Sequence, residues 1–181
     1  MKLNNKTQQM LVFILPILIL LGMCIPPVWT TVTGQEIKIK TTPIDPTDLF
    51  RGSYVALSYE IEDVPFKNLD ISVTSMFNND NAGEAIEVYV ELLPDTDGIY
   101  QAGKVTKEKL DTDVYIKGML YVPYDYPNNT PTTINVDYHL DRQYAPKEEA
   151  IQLEQQTATK SAIAVLKIKN GNAVLTGIET N

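Results

Sequence analysis

The side chains best suited to chemistry are concentrated in one stretch, PIDPTDLFRGSYVALSYEI. Arg51 follows Asp45 and Asp48, and an arginine beside carboxylates can close a bidentate ion pair with one of them. Tyr54 and Tyr59 can bury their rings while each hydroxyl keeps a hydrogen bond. The stretch therefore favours a satisfied ion pair with core aromatics, and the alternative is a ligand pocket that uses the arginine and the first tyrosine.

Backbone signals explain much of the same stretch. Asp45 can cap the free N–H groups of a helical turn, Pro46 suits its first position, and Asp48 lies three residues after the cap. Gly52 can take the left-handed conformation that ends a helix without steric cost. The stretch is therefore predicted to run as a strand, a single helical turn and a second strand.

The sequence gives little support for a catalytic nucleophile or for a metal site. Ser53 or Ser58 could pair with a lysine, whereas a Ser-His-Asp arrangement would depend on His139, the single histidine, on the polar side of an alternating strand. The single cysteine, Cys24, lies in the apolar N-terminal run, so the rest of the chain lacks ordinary zinc ligands. The oxygen-rich stretches PDTDG and NNDN lack the spacing of a calcium loop and indicate turns. No metal or cofactor is therefore expected.

The net charge of the chain disfavours some classes of binding partner. The chain has 181 residues and a formal net charge of −8. Residues 1–30 contain Lys2 and Lys6 and no acidic residue, so the remainder carries −10. That acidity argues against a nucleic-acid partner and against a docking face for anionic lipid.

An uncharged apolar run, MLVFILPILILLGMCIPPVWTTV, is long enough for a helix that crosses the hydrocarbon core of a bilayer. Lys2 and Lys6 precede this run, and the first cation after it is Lys38. The positive-inside bias therefore predicts a cell-membrane protein with a cytoplasmic N-terminus. The predicted organisation is a cytoplasmic segment at residues 1–9, a signal-anchor helix at 10–32 and an extracytoplasmic β-rich domain at 33–181.

The exit from the apolar run leaves open whether the segment is cleaved. Pro26 and Pro27, followed by Trp29, suit a helix end at the membrane interface. A cleaved signal peptide is the main alternative, but VWTTVTGQ offers no convincing pair of small residues for cleavage. Lipidation of Cys24 is disfavoured because bulky Met23 precedes it. An uncleaved anchor is the preferred interpretation.

Beyond the anchor the dominant hydrophobic period is two, in QEIKIKTT, YVALSYEI, EVYVELL, DVYIKGMLYV and TTINVDYHL. AIAVLKIK and AVLTGIE, joined by NGN, predict a hairpin because Asn-Gly supplies the positive backbone angles of a tight turn. PKEEAIQLEQQTAT, at residues 146–159, predicts a short helix. The predicted fold class is mainly β, an antiparallel small barrel or sandwich with one short α-helix, preceded by a single N-terminal transmembrane helix.

The opening stretch resembles the signature of the GDYXXLXY family of small membrane-anchored bacterial proteins. Four residues match the named positions of that signature: Gly52, Tyr54, Leu57 and Tyr59. Ser53 stands where the family has aspartate. The resemblance continues through EVYVEL with a DG turn, VYIKG, DYHLDRQYAPKEEAIQLE and the closing hairpin, and it covers nearly all of residues 36–178.

A second block of the family pattern lies late in the chain. Tyr144, Pro146 and Glu154 match it, but Lys147 replaces an acidic residue. This departure and Ser53 each remove a carboxylate, and acid–base or metal chemistry could not survive such replacements. The resemblance therefore implies structural roles for these positions and association with multi-pass membrane proteins, and it supplies no settled activity.

These observations predict a non-catalytic, membrane-anchored extracytoplasmic domain that serves as an accessory or ligand-binding subunit of a membrane protein assembly. Its expected partners are the lipid bilayer, through the N-terminal helix, and a multi-pass membrane protein. The alternative is a membrane-anchored serine hydrolase or peptidase-like enzyme. The motif and candidate binding residues are Asp45, Asp48, Arg51, Gly52, Tyr54, Leu57, Tyr59, Tyr144 and Glu154.

Overall fold

The computed structural model describes residues 5–42, 54–56, 58–124, 126, 130–140, 142–144 and 162–180. Two helices, α1 and α2, span Asn5–Thr33 and Ile71–Thr74. Strands β1 to β6 span Gln35–Thr42, Tyr54–Ala56, Ser58–Tyr59, Asp63–Pro65, Ala85–Pro94 and Tyr100–Thr106. Strands β7 to β11 span Tyr115–Tyr121, Thr133–Asp137, Arg142–Tyr144, Ala162–Lys169 and Asn172–Thr180. The predicted helix at 146–159 lies outside the described residues.

One described helix, α1, is long and apolar enough to cross a membrane, over the 22 residues of Val12–Thr33. The helix continues through Pro26 and Pro27 and ends at Thr33, next to the predicted boundary at residue 32. The hydroxyl of Thr33 donates to the Trp29 carbonyl at 2.8 Å. Packing of the last turn against β10 and β11 extends the helix past the prolines, because it gives that turn tertiary contacts.

The β strands form two large antiparallel sheets around one core and a separate two-stranded pair. The orders are β11-β10-β1-β3, β4-β8-β7-β5-β6 and β2-β9. Single parallel bridges, Lys38 to Ile99 and Ile116 to Gly171, connect the two large sheets into a nearly closed barrel. The predicted mainly β, antiparallel fold class is confirmed.

The interior of the barrel is built by alternate residues of the strands. On β1, Ile37 and Ile39 point inward, and β5 contributes Val88 and Val90 in the same way. Burying each of these side chains stabilises the fold by about 1.5–3 kcal/mol. The period of two in the sequence therefore reports which face of each strand meets the core.

The predicted closing hairpin is confirmed. Asn170 and Gly171 both have positive φ, 51° and 80°, between β10 and β11. The register of the two strands shifts beside Val165, and the Thr176 hydroxyl donates to the Val165 carbonyl at 3.0 Å. This bulge keeps apolar residues of β11 facing the core on both sides of the irregularity.

Residues 60–81 fold into short helical pieces that the sequence pattern did not predict. Three 3₁₀ helices span Glu60–Glu62, Phe66–Asn68 and Asn79–Asn81, and α2 lies between the second and third. Asp70 caps α2, where its carboxylate accepts the Ser72 N–H at 3.0 Å. The second and third 3₁₀ helices, with α2 between them, cross from β4 to β5, and the crossing places Leu69 beside Val105 at the edge strand β6.

Candidate functional site

Two buried tyrosines connect the end of the signature stretch to the segment after β8. Tyr59 is 1% exposed, and its hydroxyl donates to the Leu140 carbonyl at 2.9 Å. In the opposite direction, the Tyr138 hydroxyl donates to the Ile61 carbonyl at 2.8 Å. We call Tyr59 and Tyr138 the tyrosine clamp, because the two side chains bind each other's segments reciprocally.

The electrostatics of the tyrosine clamp favour a structural role. Burial raises the pKa of Tyr138 well above its ordinary value, and the nearby Glu62 carboxylate raises it further. Tyr138 therefore stays protonated at every physiological pH and acts as a hydrogen-bond donor to a buried carbonyl. A tyrosine that moves protons in catalysis needs a pKa nearer to the working pH.

The two blocks of the signature meet in the small sheet of β2 and β9. Tyr54 pairs with Tyr144, Val55 with Gln143 and Ala56 with Arg142 in an antiparallel register. This brings two of the predicted site residues, one from each block, to the same position across a strand pair. The two blocks are far apart in the sequence, but the pairing of β2 with β9 makes them neighbours in the fold.

The other predicted site residues lie outside the described residues. They are Asp45, Asp48, Arg51, Gly52, Leu57 and Glu154. The ion pair of Arg51 and the helical turn that ends at Gly52 stay predictions. Of the predicted site residues, Tyr59 is the one whose side chain the structure describes, and it belongs to the core as predicted.

The oxygen-rich stretches form turns, as predicted. Asp95 accepts the N–H groups of Asp97 at 2.8 Å and Ile99 at 3.1 Å, and these two bonds lower the pKa of Asp95. Gly98 completes the turn with a φ of 75°. Asn78 uses its side-chain oxygen in the same way, to accept the Asn81 N–H at 2.9 Å. Within the described ranges, no three metal-ligand side chains come together.

His139 is exposed, as predicted, but it does not continue a strand. β8 ends at Asp137, whose carboxylate accepts the His139 N–H at 2.7 Å and thereby turns the chain. His139 has a φ of 57°, and its Nδ1 lies 2.9 Å from the same carboxylate oxygen. Ser58, on the short strand β3, is exposed and pairs by register with Thr42. Among the described residues, no hydrogen bond joins the Ser58 hydroxyl to His139.

An open depression of about 580 Å³ lies beside the edge strand β6. Its lining includes two exposed apolar side chains, Ile71 at 80% and Leu93 at 50% exposure. Lys67 lines the same depression, together with Lys104 and Asp70, which form an ion pair at 2.7 Å. The surface is therefore both apolar and charged, as protein contact surfaces are.

The Asp70 carboxylate contacts both Lys104 and the backbone of α2 at this depression. The hydrogen bond from Lys104, followed by the Ser72 backbone N–H, lowers the pKa of Asp70 to about 2. Asp70 is therefore ionised at any physiological pH. One carboxylate thus caps α2 and fixes the position of the lysine in the lining.

A smaller cavity of about 220 Å³ lies at the end of the signature stretch. Glu60 and Asp63 supply its acidic side, and Tyr100 and Gln101 of β6 supply the other. Ala102 lines both this cavity and the open depression, so the two concave regions flank the same edge strand.

Sequence reasoning missed Tyr138 and Asp70. Tyr138 follows Ile134 and Val136 at a spacing of two, so alternation could have assigned it to the core face. Asp70 precedes a short stretch of helix, where aspartate is a preferred cap. The pairing of Tyr138 with Ile61 had no local signal, because the two residues lie 77 positions apart.

The fold and the site define a β domain preceded by an apolar helix, with the described residues of the signature stretch, 54–56 and 58–61, in the strand pairing and the core. The chain belongs to the family described as GDYXXLXY protein, whose model matches residues 16–178, nearly the whole chain. No curated protein and no solved structure matches the chain.

Proposed function

We propose that this chain is a non-catalytic accessory subunit of a membrane protein assembly. In this proposal α1 spans the cell membrane with its N-terminus in the cytoplasm, and the β domain lies on the outer face. The domain binds a ligand or a multi-pass membrane protein rather than transforming a substrate. The apolar stretch Val12–Thr33 and its preceding lysines, Lys2 and Lys6, support this arrangement.

The observation that carries the proposal is the tyrosine clamp. Tyr59, a named residue of the family signature, uses its hydroxyl to satisfy the buried carbonyl of Leu140. A signature that a family shares because of chemistry would present its polar groups to a substrate. Here the described part of the signature supports the fold, which suits a binding module.

The open depression beside β6 supports a protein partner over a small molecule. Small-molecule sites enclose most of their ligand, whereas this depression is open to solvent. Ile71 and Leu93 offer apolar contact area, and Lys67 lies at the same surface. Exposed apolar side chains bordered by charges are typical of protein contact surfaces.

Topology is the first expected result. Protease added outside intact spheroplasts should digest the β domain and leave a fragment that contains α1. A tag at Asn181 should be lost under the same treatment, while a cytoplasmic control protein stays intact. Full protection of the tag would show the reverse orientation.

Reactivity of the serines distinguishes a binding module from a hydrolase. A serine-reactive fluorophosphonate should leave the purified full chain unmodified, because the structure gives Ser58 no base at hydrogen-bond distance among the described residues. Mass spectrometry of the intact chain measures the modification, and a Ser58→Ala variant is the matched control. Stoichiometric labelling at Ser53 or Ser58 would replace the proposal with the hydrolase alternative.

A further inference from the structure

One residue, Gly34, separates α1 from the first strand of the β domain. α1 ends at Thr33, and β1 begins at Gln35. Gly34 donates its N–H to the Thr30 carbonyl at 2.8 Å, and a Cβ at Gly34 would lie 2.4 Å from that oxygen. Thr30 is 2% exposed, because the last turn of α1 packs on the domain. The domain therefore begins where the apolar helix ends.

Trp29 sets the depth of this junction. Its ring is 58% exposed within the last turns of the apolar stretch, and tryptophan prefers the headgroup level of a bilayer. The side chains packed around Trp29 would then lie at the same level. Lys169, in the last position of β10, places its Nζ 6.0 Å from the centroid of the Trp29 ring and 3.4 Å from the Thr33 carbonyl.

Two further lysines lie on the same side of the domain. The turn after Lys169 contains Gly171, whose carbonyl accepts the Lys117 N–H at 3.0 Å. The Nζ of Lys117 lies 5.7 Å from the centroid of the Tyr89 ring. We call the surface of Trp29, Lys117, Lys169 and Asn170 the juxtamembrane face, and Lys109 borders it 6.0 Å from the centroid of the buried Tyr115 ring.

The lysines of this face form no ion pair among the described residues. No described carboxylate lies within 4.0 Å of Lys109, Lys117 or Lys169, whereas two lysines elsewhere on β1 and β10 are paired. Lys38 and Lys167 pair with glutamates at 2.7 and 3.4 Å. Glu87 and Glu91 flank Tyr89 on the same face of β5 and so lie near Lys117, whereas the turn at residues 169–172, which begins with Lys169, contains no acidic residue.

We propose that the juxtamembrane face lies flat on the bilayer and that Lys169 and Lys117 bind the phosphates of phospholipid headgroups. The net charge of −10 argued against a lipid-binding face, but charges act over a Debye length of about 10 Å, so the local lysines dominate at the surface. The acidic remainder is repelled by an anionic bilayer, which reinforces the same orientation. This inference rests on the proposed membrane span of α1.

The test uses the full chain in nanodiscs that contain phosphatidylcholine with or without phosphatidylglycerol. Cys24 is the single cysteine, so a Cys24→Ser background accepts one spin label at a chosen position. Asn170→Cys places the label on the juxtamembrane turn. Asp80→Cys places the label in the 3₁₀ helix before β5 as a control position. The start of β5 pairs with Tyr121, which is at the other end of β7 from Tyr115. A nickel-chelating lipid in the same nanodisc reports proximity to the headgroups through faster spin relaxation.

We expect strong relaxation at position 170 and little at position 80 in discs with phosphatidylglycerol. Lys169→Gln and Lys117→Gln should each lower the population of the docked orientation roughly fivefold, since each lysine near an anionic surface contributes a comparable free energy. Lys40→Gln removes one cation of β1 at the end of that strand away from Lys169, and it should change nothing.

Equal relaxation at the two positions, or no response to the lysine substitutions, would overturn the inference. Resistance of the chain to carbonate extraction separates the two proposals. A chain that resists extraction but shows no proximity at position 170 contradicts only the lipid-binding face. A chain that carbonate extracts contradicts the membrane span as well.

Discussion

Tyr59→Ala is expected to lower the free energy of unfolding by about 3–5 kcal/mol, as removal of a large buried aromatic side chain does. The ring is buried in the core, and its hydroxyl satisfies the Leu140 carbonyl. Tyr59→Phe keeps the ring and leaves that carbonyl without its donor, so it should cost about 1–3 kcal/mol. Urea unfolding of the full chain in detergent micelles, followed by circular dichroism, measures both values.

The matched control for this prediction is Tyr121→Ala. Tyr121 is the last residue of β7 and is exposed, so the same chemical change should cost no more than about 0.5 kcal/mol. Similar stability of Tyr59→Ala and the wild-type chain would mean that the signature tyrosine does not support the fold. The search for a ligand would then return to Tyr59 itself.

Gly171→Ala is expected to cost about 2–5 kcal/mol, the sum of backbone strain at positive φ and overpacking. Gly171 has a φ of 80°, and a Cβ there would lie 2.7 Å from both Tyr115 Cε2 and Lys117 Cγ. Gly98→Ala isolates the strain, because Gly98 has a φ of 75° and no atom within 4 Å of the Cβ position. That variant should cost only about 1–2 kcal/mol.

The difference between the two glycine variants measures how tightly the β10–β11 turn packs on β7. A larger loss at Gly171 supports the connection between the two large sheets through the Ile116 to Gly171 bridge. Equal losses would show that the turn is free of β7, and the nearly closed barrel would then lack one of its connections.

The strands were predictable because local alternation and burial agree. β1, β5 and β10 alternate almost without exception between buried and more exposed residues, and the Asn-Gly pair at 170 and 171 specifies its own turn. β6 was not predicted from the sequence because Gly103 interrupts its alternation of apolar and polar residues. An edge strand also depends on contacts with segments outside its sheet. Here the side chain of Asn68, in the second 3₁₀ helix, donates a hydrogen bond to the Ala102 carbonyl of β6.

The packing of the last turn of α1 against the β domain was not predictable from local signals. Two consecutive prolines favour a helix end, but the last turn gains tertiary contacts that place Thr30 in a buried position. The same reason applies to the tyrosine clamp. Tyr59 could be assigned to the core from its alternation, whereas its acceptor at Leu140 lies 81 residues away and depends on the folded topology.

Purification from native membrane tests the proposed accessory role most directly. The full chain with an affinity tag after Asn181, extracted in mild detergent, should carry a multi-pass membrane protein in stoichiometric amount. Ile71→Ser combined with Leu93→Ser should lose that partner while the chain stays folded, because both side chains are exposed at the open depression. Tyr121→Ser, a comparable change at another exposed position, should retain it. A chain that purifies alone from native membrane, with no stoichiometric protein partner, would contradict the account.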